Sequence, residues 1–287
     1  MDFKEMKVID LKMSLLKGSL MKVDNINIKP LTLGEIESIG YTKYMSSVQL
    51  LSLSFDDLLD SVFDEDKKKI ILDNYDDLKL FDFYTTFGGE MMKYDLLNSL
   101  SIILQTEDLF FIDKKTIAVN FDSLGIIERK VDKNGIEFFD YNEEKLESAK
   151  EEDIIVINRD NFDNIVKIVK LQNYIDSPSY EDEKEVESED EEVKKLQQHM
   201  KDMNKKVQDR KKMQNEDEKD DKDFSDIVSS VTTKSNTMNK LNVWNFTIYQ
   251  IYDEYNRLEM IDGYDISIKA MMAGAKDVEL THWSSRG

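Results

Sequence analysis

Apolar residues recur along the first third of the chain with a helical period, broken by short extended stretches. Between Val23 and Lys29, Ile26 and Ile28 alternate with polar neighbours until Pro30 stops the run, which predicts a short edge strand. Thr32 and Glu35 follow at capping-box spacing: the threonine hydroxyl can accept from the Glu35 amide while the glutamate reaches back to the Thr32 amide. Leu31 and Ile36 then occupy the two positions of a hydrophobic staple. Ile36, Ile39, Tyr44, Val48 and Leu51 continue the helical spacing, and Gly40 either interrupts one helix or ends the first of two. Phe55 to Leu80 mixes acids with Leu58, Leu59, Val62, Phe63, Ile70, Ile71 and Leu72, so helical fragments are expected around a charged turn at Asp64 to Lys69. Met91, Met92, Leu96, Leu97, Leu100, Ile103 and Leu104 form a strong stripe that predicts a helix over Gly89 to Thr106.

The period then changes. Leu109 to Ile112, Thr116 to Asn120, Ile126 to Val131 and Ile136 to Tyr141 read as short strands, and Asn134-Gly135 suits a type I′ hairpin turn. Ile154 to Ile157 adds another strand, after which Asn158, Asp160 or Asn161 can cap a helix carrying Phe162, Ile165, Ile168, Val169 and Leu171. Residues 1–175 therefore read as an α+β domain, mainly helical with a small antiparallel sheet. Near the other end, Ser225 or Asp226 can cap a helix containing Ile227, Val228 and Val231. A longer helix is expected over Leu241 to Ile261, where Trp244, Ile248, Ile251, Tyr255 and Leu258 recur at spacings of 4, 3, 4 and 3. Asp253 and Arg257 form an i, i+4 pair, and Phe246, Tyr249 and Tyr252 lie off the main stripe. Such a helix is covered on several sides, first as the core of a small all-helical domain over residues 224–287 and also as a partner surface, because tyrosine and tryptophan dominate hot spots.

Between these regions the charge pattern replaces the apolar one. Asp176 to Glu192 carries ten acids against one lysine, Val193 to Met213 eight bases against two acids, and Gln214 to Phe224 six acids against two lysines. So little apolar surface cannot offset ordering entropy, and residues 176–223 read as a charged flexible linker with a basic helix. Val193, Leu196, Met200, Met203 and Val207 keep a/d spacing, but over so short a stretch a solvated helix folding back on its acidic flanks is favoured over a dimer seam. Weak self-association through residues 193–213 is the alternative, and His199 lies off that seam.

The totals narrow the chemistry. A formal charge of -21 repels phosphate backbones and anionic lipid, so neither nucleic acid nor membrane is the expected partner. No uncharged run exceeds the twelve residues of Leu241 to Tyr252, too short to span a bilayer, and Asp2, Glu5, Lys12 and Lys17 break any secretory signal. The absence of cysteine excludes disulfides and thiolate chemistry, and two histidines cannot build a multi-histidine metal site. Gly88-Gly89 lacks the remainder of a phosphate loop. Asp132, Asn134 and Gly135 put the glycine at the wrong position for a calcium loop, which leaves the hairpin turn as the better reading. No catalytic, cofactor-binding or metal-ligating residue is expected.

Two stretches carry a resemblance. NVWNFTIYQIYDEYNRLEMIDGYDISIKAMMAGAKDVELTHW, Asn242 to Trp283, resembles the C-terminal segment of proteins encoded in the tail-morphogenesis regions of phages infecting low-GC Gram-positive bacteria. INIKPLTLGEIESIGYTKY, Ile26 to Tyr44, is similar to the start of the same proteins. The resemblance implies a non-enzymatic tail assembly factor in the host cell cytoplasm: a chaperone for the tape-measure protein or a baseplate hub factor. The alternatives are a structural baseplate or tail subunit of the virion and an uncharacterised cytoplasmic enzyme. It brings no catalytic residues. The matched positions Trp244, Tyr249, Tyr252, Arg257, Ala273, Gly274, His282 and Trp283, together with the aromatic Phe246 and Tyr255, make the C-terminal helix and tail the expected contact with other phage tail proteins.

Overall fold

A computed structural model describes residues 2–60, 65–73, 75–113, 115–131, 137–149, 154–178, 223–275, 278, 280 and 282–284. The protein is α+β, with small antiparallel sheets in the N-terminal region and a helical C-terminal part. It forms two compact units, Met1–Ser177 with Trp244–Gln250 and Pro178–Val243 with Ile251–Gly287.

The first unit opens with helix α1, Val8–Lys17, which buries Val8, Leu11 and Leu15 at i, i+3 and i+7. A hairpin follows, β1 Met21–Val23 paired with β2 Ile26–Ile28, and buries Met21, Val23, Ile26 and Ile28 while Lys22 and Asn27 face out. The edge strand expected over Val23 to Lys29 is thus the second half of a hairpin. Its two-residue turn, Asp24-Asn25, has Asp24 at φ 52, a conformation that a short carboxylate side chain tolerates.

The Thr32 box forms as the spacing predicts: Thr32 N–H donates to the Glu35 carboxylate at 2.8 Å and Glu35 N–H donates to the Thr32 hydroxyl at 3.3 Å. Leu31 and Ile36, the staple pair, are both buried. Gly40 divides two helices, α2 Leu33–Ile39 and α3 Tyr41–Ser52. Helices α4 Phe55–Asp60 and α5 Glu65–Asp73 come next, so Glu65 to Lys69 is helical rather than the charged turn expected there. The run Glu65 to Lys69 contains no helix breaker, and Lys and Glu are good helix formers.

A short helix, α6 Leu80–Asp82, widens into a π-helical segment Phe83–Phe87 and leads to α7, Gly89–Leu104. Helix α7 packs on α3. Leu109–Asp113 (β3), Thr116–Val119 (β4) and, after the intervening hairpin, Ile155–Asn158 (β7) make a three-stranded antiparallel sheet in the order β3-β4-β7. The hairpin between them pairs β5 Ile127–Val131 with β6 Glu137–Tyr141 and is followed by helix α8, Glu143–Ser148. Asn134 and Gly135, the expected turn, and Asp132 lie outside the described residues. Ala118, Phe121, Ile126 and Ile127 form the core here, covered by Phe110, Leu146 and Val156.

Helix α9, Phe162–Gln172, buries much of its length and packs on α3. Phe162, Ile165, Ile168, Val169 and Leu171 are buried, each worth about 1.5–3 kcal/mol when fully withdrawn from water. Asn161 holds the N-cap position, but its side chain turns back, accepting from Asn158 N–H at 2.9 Å and donating to the Val156 carbonyl at 2.9 Å. Tyr44 O–H donates to Asn173 Oδ1 at 2.9 Å, and burial pushes the phenol up to about 12. Asp82, nearly buried, accepts from Arg159 Nε at 2.9 Å and from Lys79 N–H at 3.0 Å, while Arg159 also donates to the Asp77 carbonyl.

Asp163 beside this cluster is exposed, and partial desolvation by its neighbours raises its carboxyl, an effect that Lys79 and Arg159 oppose and Asp82 reinforces. Its folded value is higher than its unfolded one, so ionising it disfavours the fold once pH rises above the ordinary carboxylate value, and the cost is complete above the folded value. Asp163→Asn is expected to be more stable relative to the parent at pH 7 than at pH 3. Urea midpoints at the two pH values check this, and an unchanged difference would refute it.

Helix α10, Phe224–Lys234, belongs to the second unit. Its cap is Asp223 rather than Ser225 or Asp226: the Asp223 carboxylate accepts from Asp226 N–H at 3.1 Å and Asp226 returns a bond from Asp223 N–H at 3.1 Å. Placing the helix start two residues late in the sequence overlooked that Asp226 can be the third residue of a capping box. The final helix, α11, spans Ile248–Met272. It therefore begins later and ends further on than the expected Leu241 to Ile261. Thr247 and Gln250 set its start with a second reciprocal box: Thr247 N–H donates to Gln250 Oε1 at 2.9 Å and Gln250 N–H donates to the Thr247 hydroxyl at 3.3 Å. Trp244 consequently lies in a 3-10 turn, Val243–Asn245, outside the helix.

Candidate functional site

The residues expected to contact a partner divide between the two units. In the first, Trp244–Gln250 is held by residues distant in sequence. Thr32 and Thr247 form an antiparallel bridge, Leu33 N–H donates to the Phe246 carbonyl at 2.9 Å, and Gln250 Nε2 donates to the Leu16 carbonyl at 2.7 Å. The Tyr249 ring is buried and lies 5.4 Å from the Tyr174 ring between centroids. Two glycines allow the close approach. A Cβ at Gly34 would stand 3.2 Å from the Trp244 carbonyl oxygen, and one at Gly18 3.3 Å from the Thr247 methyl. The two capped helix starts, Thr32/Glu35 and Thr247/Gln250, thus lie side by side. The Trp244 side chain remains 47% exposed and Phe246 is half-buried.

In the second unit, Tyr252 packs on Phe224 with ring centroids 5.5 Å apart, and burial raises its phenol. Asp253 is raised by desolvation, with Arg257 acting the other way. Tyr255 and Arg257 are half-buried. Lys234 pairs with Asp262, and the Ser235 hydroxyl donates to Glu254 at 2.6 Å, tying the end of α10 to α11. Past Met272 the chain turns at Gly274 and comes back to the helix: Arg257 Nη1 donates to the Trp283 carbonyl at 3.3 Å. The His282 ring stands 5.3 Å from Tyr264 and 5.4 Å from Trp283. His282 is exposed and Trp283 is 44% exposed. Ala273 and Gly274, the other matched positions, are exposed at the turn.

Sequence reasoning missed Tyr264, Ile266 and Met272. Ile266 is 65% exposed and Met272 84%, both on the part of α11 that lies beyond the expected helix end. The signal was present in Ile261, Tyr264, Ile268 and Met271, which continue the 3, 4, 3 spacing through Gly263. Val193 to Met213, with His199, lies outside the described residues. Among the described residues no group of three or more His, Asp or Glu side chains gathers as a metal site, and no helix is long and apolar enough to cross a membrane. What the C-terminal residues offer chemically is an aromatic and aliphatic surface with fixed charges beside it, suited to recognition.

Residues 212–286 match the family described as the YomV second domain, a phage-associated family. No curated protein and no solved structure matches the chain.

Proposed function

We propose that the chain is a non-enzymatic bacteriophage tail assembly factor, acting in the host cell cytoplasm as a chaperone for the tape-measure protein or as a baseplate hub factor. The observation that supports this most is the exposed apolar surface of the C-terminal region, Ile266, Met272 and Trp283, inside the stretch that matches a phage-associated family. Large apolar side chains exposed in this way are candidate contacts for a partner protein. The similarity of Ile26 to Tyr44 and Asn242 to Trp283 to tail-morphogenesis proteins supplies the candidate partners.

The test is co-expression of the full chain with tape-measure and hub proteins of a phage that encodes it, followed by co-purification. Trp283→Ala and Ile266→Asp, both at exposed positions, are each expected to weaken capture roughly tenfold or more, the scale of a hot-spot truncation, with unchanged circular dichroism. Capture unaffected by either variant, with the fold intact, overturns the C-terminal assignment. Purified virions separate the two tail roles: a chaperone is absent from them, whereas a structural subunit is present in a fixed ratio.

A further inference from the structure

Helix α1 has two apolar faces. Val8, Leu11 and Leu15 are buried in the first unit, while Ile9, Met13 and Leu16 are 53%, 61% and 42% exposed. Their spacings of 4 and 3 set these three on one line along the helix, the d, a and d positions of a coiled-coil seam. Leu20, just past the C-cap at Gly18, is exposed as well. In the same register Lys12 falls at g and Lys17 at e, so a lysine borders the central Met13 on each side. None of these residues belongs to the contact assigned above to tail proteins. We propose that this face of α1 docks an amphipathic helix of a partner protein whose apolar stripe is bordered by aspartate or glutamate.

The occupant follows from shape and charge together. A seam of 4 and 3 spacing receives the knobs of another helix crossing at about 20°, whereas the two-residue period of an extended strand would meet it out of step. The e and g positions choose the partner, because their charges stand beside the seam and meet the flanking residues of the facing helix. Here both positions next to Met13 are basic, and Lys7 to Lys22 carries four lysines against the single acid Asp10, in a chain that has 39 basic residues against 60 acidic ones. The basic charge thus gathers on the face where apolar side chains stand out, and carboxylates are what it complements. Asp10, in the first turn of α1, suits the positive end of the helix dipole. An anionic lipid surface has the same local charge preference, but the total of -21 repels it.

The probes are two synthetic peptides about three heptads long with one isoleucine and leucine seam, the first carrying glutamate and the second lysine at every e and g position; each repels itself and so stays available to the protein. Binding to the full-length chain is followed by fluorescence anisotropy of the labelled peptide at near-physiological salt, up to high micromolar protein. The glutamate peptide is expected to bind at least about tenfold more tightly than the lysine peptide, against the order that the charge of -21 alone would impose. Lys12→Glu/Lys17→Glu is expected to reverse the order, and Lys12→Gln/Lys17→Gln, gentler on the helix, to erase it. Met13→Asp is expected to weaken the glutamate peptide about tenfold or more with unchanged circular dichroism, whereas Met91→Asp, at a 79% exposed position of α7, leaves it bound as before. A lysine peptide that binds as well as the glutamate peptide, or better, overturns the proposal. So does a glutamate peptide whose binding responds equally to Met13→Asp and Met91→Asp. Co-sedimentation with phosphatidylglycerol vesicles is the remaining arm: vesicle binding that Met13→Asp abolishes, without binding of the glutamate peptide, assigns the face to a lipid surface and overturns a protein partner.

Discussion

Replacing Phe162 by alanine is expected to lower the stability of the first unit by about 3–5 kcal/mol, the range for removing a buried aromatic side chain. Phe162 is wholly buried, its ring 5.1 Å from Phe81 and 6.0 Å from Tyr84 between centroids. Tyr84 in turn donates to the Leu50 carbonyl at 2.5 Å, and burial pushes its phenol far up. One ring therefore joins the start of α9 to α6 and to the π-helical segment, and neighbours anchored by hydrogen bonds cannot collapse freely into the space it leaves. For a unit of this size the loss corresponds to about 6–20 °C in melting temperature. Phe162→Leu, which keeps much of the volume, is expected to cost less than half as much. Urea unfolding monitored by far-ultraviolet circular dichroism checks both, and a Phe162→Ala midpoint within error of the parent would show that this cluster is not the core of the unit.

That cluster was partly legible in the amino-acid sequence. Phe162 stood on the predicted apolar face of α9, whereas Phe81 and Tyr84 belonged to a stretch, Leu80 to Phe87, with no clean period, because a π-helical turn shifts side chains off the usual spacing. Short-range chemistry was readable wherever one interaction dominates. The Thr32–Glu35 box, the Leu31–Ile36 staple and the strands β3 to β7 follow from patterns a few residues long. The Asp24-Asn25 turn was legible but passed over: two adjacent polar residues shift the alternation that runs from Met21 to Ile28, and an expected strand starting at Val23 absorbed the break.

The start of α11 was misplaced for a different reason. Trp244 continues the helical stripe, so periodicity favoured an earlier start, yet the box at Thr247 and Gln250 ends the helix there and frees Asn242 to Phe246 for other contacts. Those contacts are with Leu33 and Gly34, more than two hundred positions away, and no local pattern encodes them. The candidate partner residues between Trp244 and Trp283 form a largely aromatic group in the sequence. Which of them are covered could not be read from spacing: Tyr249 is buried on Tyr174, and Trp283 returns to Arg257 only because the chain turns at Gly274.

Gly18 provides the sharpest test of the Trp244–Gln250 contact. Its φ of +67 ends α1, and a Cβ there would lie 3.3 Å from the Thr247 methyl and 3.5 Å from Gln250 Nε2. Gly18→Val is expected to cost about 2–5 kcal/mol, combining about 1–2 for a side chain in the left-handed region with about 1–3 for overpacking against Thr247. The two contributions can be separated. Gly89 has φ +73 with open space where a Cβ would go, so Gly89→Ala reports the backbone cost alone. Gly18→Ala is expected to cost more than Gly89→Ala, the excess being the methyl contact. Thr247→Ser removes that methyl and keeps the capping hydroxyl, so in the double variant Gly18→Ala/Thr247→Ser the excess is expected to vanish, appearing as a coupling of about 0.5–1 kcal/mol in a double-mutant cycle. Chemical unfolding of the four proteins of the cycle, with Gly89→Ala alongside, measures it. Additive Gly18 and Thr247 substitutions would mean that the two residues do not touch, and the seat of the segment on α1 would have to be abandoned.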